Sequence, residues 1–282
     1  MGMVVGTIGG KSAGRTAPEV DGYRIFAADF HVHGFFGDGA LPPWEIRREA
    51  ARRGLDVVAI TNHNQTFAAR LGAWLGRRFD GPLVLVAEEL TTPGFHIAAV
   101  GIRYPIAWRL PARGAIDAIH EQGGIAIAAH PNASYPRLFD RSALERLDGV
   151  EVEWPEPEDR GGREMHDFYE LARKARPHIS PVGSSDFHFA SPVGSARTYV
   201  FATALTEAAI LDALRSGRTV AHDAHGNTIG DPRLVALVER HIRSERDRSG
   251  SRLVRWLGVS CAWTGLLLLT LFVPFGTAAR RD

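Results

Sequence analysis

Residues that could bind a metal ion are concentrated in the segment 29–39, which reads DFHVHGFFGDG. One residue separates His31 from His33, so a β-strand would point both imidazoles to the same face. Asp38 follows in a glycine-rich turn. Neutral imidazole and carboxylate suit Zn²⁺, Mn²⁺ or Fe²⁺, so this segment could supply part of a metal site. Chance is the competing interpretation, because the chain contains 12 histidines in 282 residues.

Other histidines and carboxylates accompany predicted strands farther along the chain. These additional candidate ligands are His63, Glu89, His96, His130, Asp186 and His188. All nine candidates except His96 lie at or just beyond the C-terminal end of a predicted strand, where the active sites of β/α barrels form. Each one alone would more often be a structural or capping residue, so the prediction depends on their shared position. Nine ligands exceed the needs of one tetrahedral ion and suit two or three ions with a bridging carboxylate.

The elements that must position these residues alternate between strand-like and helix-like from about residue 23 to residue 222. Apolar runs such as DVVAIT (56–61) predict buried strands, and LPPWEIRREAARRG (41–54) predicts a helix with proline near its start and glycine at its end. This alternation predicts parallel βαβ units. With about seven strands, and with neither GxGxxG after the first strand nor GxxxxGK[ST] anywhere, the predicted fold class is α/β, a closed barrel.

Composition is that of an ordinary globular protein, with 45% hydrophobic residues, 23% charged residues and a net charge of +1. The single cysteine, Cys261, excludes an internal disulfide and a cysteine-rich zinc module. Residues 240–255 are rich in arginine, and residues 256–279 contain no charge. That length predicts a transmembrane helix, with a buried core helix as the alternative. The arginines before it predict a cytoplasmic catalytic domain on a C-terminal membrane anchor.

Four segments follow from these patterns. We predict a flexible leader, a metal-dependent hydrolase domain, a basic linker and the membrane anchor, over residues 1–22, 23–231, 232–255 and 256–279. The linker's arginines suit anionic lipid headgroups. The hydrolase domain has no dense basic and aromatic stripe, so we expect no stable nucleic-acid partner.

The ordered motifs resemble those of the PHP (polymerase and histidinol phosphatase) superfamily of metal-dependent phosphoesterases. They are HVHGFFGDG (31–39), GLDVVAITNHN (54–64), VAEELTTPGFHIAAVGI (86–102), IAIAAHPN (125–132), GSSDFH (183–188) and ILDALRSGRTVA (210–221). One position departs from the usual pattern, because Asn62 stands where the family usually has aspartate. At the position of Asp38, some members have histidine. Glu88 competes with Glu89 for one ligand position. Glu89 fits better, because the family's glutamate lies two residues before a Thr-Thr pair, as Glu89 does before Thr91.

The resemblance implies a distorted (β/α)7 barrel with three metal ions. By the family pattern, the first ion is held by His31, His33, Glu89 and Asp186, the second by Glu89, His96 and His130, and the third by Asp38, His63 and His188. The identity of the metal stays open among zinc, manganese and iron. Clustered divalent ions lower the pKa of bound water, so we assign the role of nucleophile to a metal-bridging hydroxide. Among the site residues, His188, Asp186 or His63 could assist proton transfer, and Arg197 and Arg137 could bind the phosphate.

The function predicted from the sequence is hydrolysis of a phosphate ester of a small molecule or an oligonucleotide. Only 33 residues separate His96 from His130, which leaves no room for the large cap of the superfamily's nucleotide and oligonucleotide hydrolases. Two alternatives remain. One is a metal hydrolase that cleaves another bond, such as an amide, and the other is a non-catalytic metal-binding scaffold on the membrane.

Overall fold

The computed structural model of the chain describes residues 19–153, 160–189, 191–223 and 225–248. The chain divides into two compact units. One comprises Thr16–Val238, and the other comprises Met1–Arg15 together with Glu239–Asp282. All nine candidate ligands lie in the first unit.

Short runs rich in apolar residues form eleven strands among the described residues. They are β1 (Glu19–Val20), β2 (Tyr23–Val32), β3 (Val57–Ile60), β4 (Leu83–Thr91), β5 (His96–Val100), β6 (Ile125–Ala128), β7 (Gly149–Glu153), β8 (Ser180–Gly183), β9 (Arg197–Ala202), β10 (Thr219–His222) and β11 (Thr228–Gly230).

Eight helices are described. They are α1 (Pro43–Arg52), α2 (Phe67–Gly76), α3 (Ala112–Glu121), α4 (Tyr135–Leu138), α5 (Arg141–Leu144), α6 (Arg160–Ala175), α7 (Glu207–Arg215) and α8 (Pro232–Arg248). Proline begins α1, where its missing N–H costs no helical hydrogen bond. Thr206 caps α7, because its hydroxyl accepts a hydrogen bond from the amide of Ala209. Residues 232–248, which we expected to belong to a basic linker, form α8.

Seven strands run in one direction, and the others oppose them. The strands β2, β3 and β4 are parallel neighbours, as are β6, β7 and β8. Between these groups, β5 is antiparallel to both β4 and β6. On the other side of β2, the strands β9, β10 and β11 follow in antiparallel pairs. The expectation of parallel βαβ units is therefore wrong at β5 and at β9–β11. At β5 the reason is the short turn after β4, which can join only antiparallel strands.

The two ends of the sheet meet through side-chain hydroxyls. In β9, the Thr198 hydroxyl accepts a hydrogen bond from Gly183 N at 3.0 Å and donates to Gly183 O at 2.9 Å. The Thr219 hydroxyl of β10 donates to Pro181 O at 3.0 Å. Just beyond β8, Phe187 forms a parallel bridge with Val32. The sheet is therefore a mixed, nearly closed barrel.

Two hydrophobic clusters hold this sheet together. On one face, Leu85 and Val182 pack with Leu214 of α7. On the other face, the sheet packs against Ile116 of α3 and Phe168 of α6. Burying a side chain of this size contributes about 1.5–3 kcal/mol, so both faces stabilise the strands whose ends carry the candidate ligands.

A β-bulge in β2 decides where the H-x-H motif points. Asp29 lies opposite Val58, but Val32 lies opposite Ile60, so β2 has one more residue than β3 over this stretch. Side chains alternate between the faces of a strand, and an extra residue shifts that alternation by one position. Both imidazoles of the motif therefore lie on the face opposite to that of Asp29.

The membrane anchor is a correction. Within the described ranges, no helix has both the length and the apolar character needed to cross a bilayer. The uncharged segment 256–279, on which the prediction depended, lies outside the described residues. Anchoring by a C-terminal helix is therefore not retained, either in the fold class or in the localisation.

Candidate metal centre

The carboxyl ends of the parallel strands bring the nine candidate ligands together at one end of the barrel. His31 and His33 lie at the end of β2, and Glu89 lies near the end of β4. His96 begins β5, and it reaches the same end because β5 returns antiparallel from β4. The hairpin of β4 and β5 therefore places the first residue of β5 beside residues at the ends of other strands.

Four ligand atoms converge at the centre of the site. His31 Nε2 lies 3.0 Å from His33 Nε2, 3.4 Å from Glu89 Oε2 and 3.3 Å from Asp186 Oδ1. His33 Nε2 lies 3.2 Å from Glu89 Oε2 and 3.3 Å from Asp186 Oδ1. Ligands about 2.0–2.1 Å from a tetrahedral ion are separated by about 3.3 Å, so the atoms of His31, His33 and Glu89 are spaced as ligands of one ion, and Asp186 Oδ1 lies at the same distance from both imidazoles.

The two carboxylate oxygens in this group also lack hydrogen bonds. Glu89 Oε2 and Asp186 Oδ1 are buried, and neither has a well-oriented hydrogen-bond donor among the described residues, although His63 Nδ1 lies 2.8 Å from Glu89 Oε2. Such orphaned acceptors cost about 1–3 kcal/mol or more when nothing else binds them. The donor set, its separations and these oxygens therefore all fit a bound divalent cation.

Two further groups surround the central one. His96 Nδ1 and His130 Nε2 lie 2.6 and 2.9 Å from Glu89 Oε1. On the other side, Asp38 Oδ2 lies 3.1 Å from His63 Nε2 and 3.2 Å from His188 Nε2. Glu89 therefore uses one oxygen toward each of two groups, as a bridging carboxylate would.

The ligand atoms form four overlapping groups that could each hold an ion. They are His33, Asp38, His63 and His188; His31, His33 and Glu89; His31, His130 and Asp186; and Glu89, His96 and His130. They match the second ion of the family pattern, and its third ion with His33 added, but the four residues assigned to its first ion are divided between two groups. The structure brings all nine residues together, and their role as ligands belongs to the proposal below.

The charges of the carboxylates and imidazoles at the centre of the site strongly affect one another. Burial alone would raise the pKa of Glu89, but the charge of His31 and hydrogen bonds from the surrounding imidazoles hold that pKa well below its usual range. Burial would lower the pKa of His33, but the carboxylates of Asp186 and Glu89 raise it to about 9. The buried carboxylates therefore attract positive charge to the centre, and a metal ion would supply that charge in place of protons, because a ligating imidazole is neutral.

Glu88, the rival of Glu89, points away from the cluster. Its Oε1 accepts a hydrogen bond from Ile106 N at 2.6 Å, and its Oε2 has no partner among the described residues. Burial raises the pKa of Glu88 to about 7. Adjacent residues of a strand face opposite sides of the sheet, so only one of the two glutamates can reach the histidines.

Glu151 contacts two of the candidate ligands, and the sequence analysis missed it. Its Oε1 lies 2.9 Å from His31 Nδ1, and its Oε2 accepts a hydrogen bond from His130 N at 2.7 Å. A carboxylate on the second ring nitrogen fixes the tautomer and orientation of a ligating histidine. The available signal was the strand GVEVE, in which a glutamate alternates with buried valines.

Three more polar residues support the ligands. Asp29 accepts hydrogen bonds from the hydroxyl of Ser185 at 2.6 Å and from Gly194 N at 2.8 Å, which ties β2 to the segment that carries Asp186. Thr91 Oγ1 lies 2.6 Å from Nδ1 of His63. The side-chain amide of Asn62 accepts from Gly34 N at 2.7 Å and donates to Gly34 O at 3.0 Å.

Two candidate ligands adopt an uncommon backbone conformation. His130 has φ of 29° and Asp186 has φ of 44°, in a region that non-glycine residues seldom occupy. Such conformations cost of order 1–3 kcal/mol and cluster at functional sites. Their presence at two strand ends of one site is consistent with side chains held for binding.

The two arginines predicted to bind phosphate have different surroundings. Arg197 donates from its guanidinium to the carbonyl of Gly194 at 2.7 Å and 3.0 Å and to that of Arg53 at 3.2 Å. Arg137 is exposed on α4, seven residues after His130 in sequence. Its guanidinium has no hydrogen-bond or ion-pair partner among the described residues. Arg197 thus has a structural role, whereas Arg137 retains its donors.

Comparison with known proteins adds an independent finding. The model of the PHP-associated family matches residues 170–219. An uncharacterised protein from Methanocaldococcus jannaschii is 35% identical over 141 residues, which cover 44% of this chain and 80% of that protein.

Two solved structures resemble this one in fold. A two-domain protein from Bacteroides vulgatus, containing a predicted PHP-like metal-dependent phosphoesterase, has a TM-score of 0.62 and 22% identity, covering 80% of this chain and 73% of the other. PsfC from Pseudomonas syringae has a TM-score of 0.51 and 16% identity, covering 79% and 98%. At these identities the likeness concerns the fold.

Proposed function

Because the chain belongs to the PHP superfamily, we propose that it is a metal-dependent hydrolase that cleaves a phosphate ester with two or three divalent ions. The observation that carries the proposal is the central group of four ligand atoms. Two imidazole nitrogens lie 3.0 Å apart, and each lies 3.2–3.4 Å from two orphaned, buried carboxylate oxygens. A purely structural cluster would pair these oxygens with N–H donors.

Each residue has a definite task in this proposal. His31, His33, Glu89 and Asp186 would hold the central ion, His96 and His130 would complete a second with Glu89, and Asp38, His63 and His188 would hold a third. When bound, such ions lower the pKa of water and neutralise phosphate oxygens. Zinc, manganese and iron all suit this donor set.

The chain's own side chains also supply substrate contacts and proton transfer. His63 and His188 have side chains that are 37% and 29% exposed, in contrast to the fully buried His31. They are therefore better placed to exchange a proton with solvent or a leaving group. Arg137 is the better of the two predicted phosphate-binding arginines, because its guanidinium is not occupied by main-chain carbonyls.

The test combines metal content with hydrolysis. The purified full chain would be loaded with Zn²⁺ or Mn²⁺, its bound ions counted by elemental analysis, and its activity measured on a panel of phosphate esters and amides. We expect two or three ions per chain and phosphate-ester hydrolysis. His31→Ala and Asp186→Asn should lower the rate by about a hundredfold or more, because they remove ligands of the central ion.

His166→Ala is the matched control, since this exposed histidine of α6 lies outside the cluster. It should retain both metal content and activity. Cleavage of amides alone would indicate a hydrolase of another bond. A protein that binds one ion or none and hydrolyses no ester after reconstitution would contradict the proposal.

A further inference from the structure

Four exposed phenylalanines lie close in sequence to candidate ligands of the outermost group. We call Phe35, Phe36, Phe67 and Phe189 the aromatic rim; they are 57%, 47%, 59% and 77% exposed. Phe35 and Phe36 lie between His33 and Asp38, Phe67 follows His63 by four residues, and Phe189 follows His188 directly. Two residues span at most about 7 Å, so the first two rings start close to ligands.

Contacts join parts of this rim. The ring centroids of Phe35 and Phe36 are 5.3 Å apart, and those of Phe36 and Phe67 are 5.2 Å apart, both edge to face. Gln65 Nε2 donates to Phe36 O at 3.1 Å. The amide of Ala40 donates to His188 O at 2.7 Å, which joins the first loop to the segment that carries Phe189.

Phe36 also occupies a strained position. It is the third residue of a turn closed by a hydrogen bond from Gly37 N to Gly34 O at 3.1 Å, and its φ is 81°. Glycine or asparagine is favoured at that position, because a bulky side chain there is strained. The chain has glycine at the next position but places an exposed phenyl ring here. Backbone strain of this kind clusters at active sites and ligand-binding segments, so the exposed ring of Phe36 is a candidate for a binding role.

We infer that the aromatic rim binds the organic group of the substrate, and that this group contains a planar aromatic ring. The inference rests on the proposed function, in which the adjacent metal centre holds the phosphate. Edge-to-face rings that remain largely exposed offer apolar surface to a flat partner, and aromatic pairs gain stability beyond buried area alone. A small alkyl or polyol group would leave most of that surface in water.

The test measures binding as well as turnover. On the metal-loaded full chain, affinities for phenylphosphonate and methylphosphonate would be measured by calorimetry, beside kcat/KM for phenyl phosphate and methyl phosphate. The variants are Phe36→Gly and Phe67→Ala, with Phe79→Ala as the control. Phe79 is 64% exposed but lies between α2 and β4, at the opposite end of the strand.

We expect the wild type to prefer the phenyl compounds by about tenfold or more. Each rim variant should lower this preference by about threefold to tenfold and leave the methyl compounds unaffected. Phe36→Gly should also unfold at the same or a higher temperature, because glycine relieves the strained φ. A lower preference for the phenyl compounds without lower thermal stability would show that the rim residue acts in binding and not only in the structure.

Equal affinity for phenyl- and methylphosphonate, or a preference that survives both rim variants, would overturn the inference and leave the proposed function intact. A dimer in sedimentation experiments that Phe67→Ala dissociates would overturn it too, since the rim would then bind a second copy. Phenylphosphonate preference without hydrolysis of any ester would support the rim while contradicting the proposed function.

Discussion

Replacing Glu151 with glutamine tests whether a carboxylate behind the ligands organises the metal centre. The substitution keeps the size and shape of the side chain but removes its charge. In the structure, both carboxylate oxygens act as acceptors, one near His31 Nδ1 at 2.9 Å and one from His130 N at 2.7 Å. A glutamine has only one acceptor oxygen, so its NH₂ group must face one of these two N–H groups.

The expected loss follows from those contacts. His31 and Glu151 are both buried, so solvent screens their interaction little. A hydrogen bond to a charged group contributes about 1.5–3 kcal/mol, which corresponds to about tenfold to 150-fold in an equilibrium constant. Residues that orient metal-binding histidines typically change metal affinity by about 10–100-fold. We therefore expect Glu151→Gln to weaken zinc binding by about 10–100-fold.

The assay is competition for zinc against a chromophoric chelator at pH 8. Glu164→Gln is the matched control, because Glu164 also accepts a backbone N–H, from Ala133 at 3.0 Å, but does so at an exposed position and touches no candidate ligand. The control should bind zinc as the wild type does. Circular dichroism would verify that both variants are folded.

An unchanged zinc affinity in folded Glu151→Gln, within about twofold, would refute this reasoning. It would mean that packing alone fixes the imidazole of His31. A loss of affinity of the same size in Glu164→Gln would also refute it, because the effect would then not depend on contact with a ligand.

Two further predictions concern buried polar groups. Glu88 has a folded pKa of about 7 against 4.5, so its contribution to stability is greatest below pH 4.5 and is lost as pH rises through 7. Between pH 5 and pH 9, the free energy of unfolding of Glu88→Gln should therefore rise by up to about 3 kcal/mol relative to that of the wild type. The same pH dependence of the unfolding free energy in both proteins would contradict this prediction. Asn62→Asp places a carboxylate oxygen against Gly34 O and should cost about 1–3 kcal/mol at pH 8 in urea unfolding. Asn132→Asp is the control and should cost little, because the described hydrogen bonds of Asn132 use only its side-chain oxygen. Equal losses of stability in the two variants would argue against the contact between the Asn62 amide and Gly34 O.

Much of the barrel could be predicted locally, because its elements are short and strongly patterned. Runs such as IAIA and VVAI form β6 and β3, and the helix that begins near Pro43 forms α1. The prediction of parallel units missed the antiparallel direction of β5, since an apolar run does not indicate which way its strand runs in the sheet. The prediction of a membrane anchor was wrong for the described fold. Hydropathy alone indicates that a segment could span a membrane, but it does not determine the structure of that segment.

The sequence by itself determined which residues could bind metal and that most of them follow strands. Ligand type is a property of the side chain, and the strand-end position follows from local pattern. Tertiary structure alone decided which atoms meet. The extra residue in β2 turns His31 and His33 to the face opposite to that of Asp29, the pleat of β4 separates Glu89 from Glu88, and long-range packing brings Glu151 behind His31. Register and pairing depend on contacts between distant segments, so no local pattern contains them.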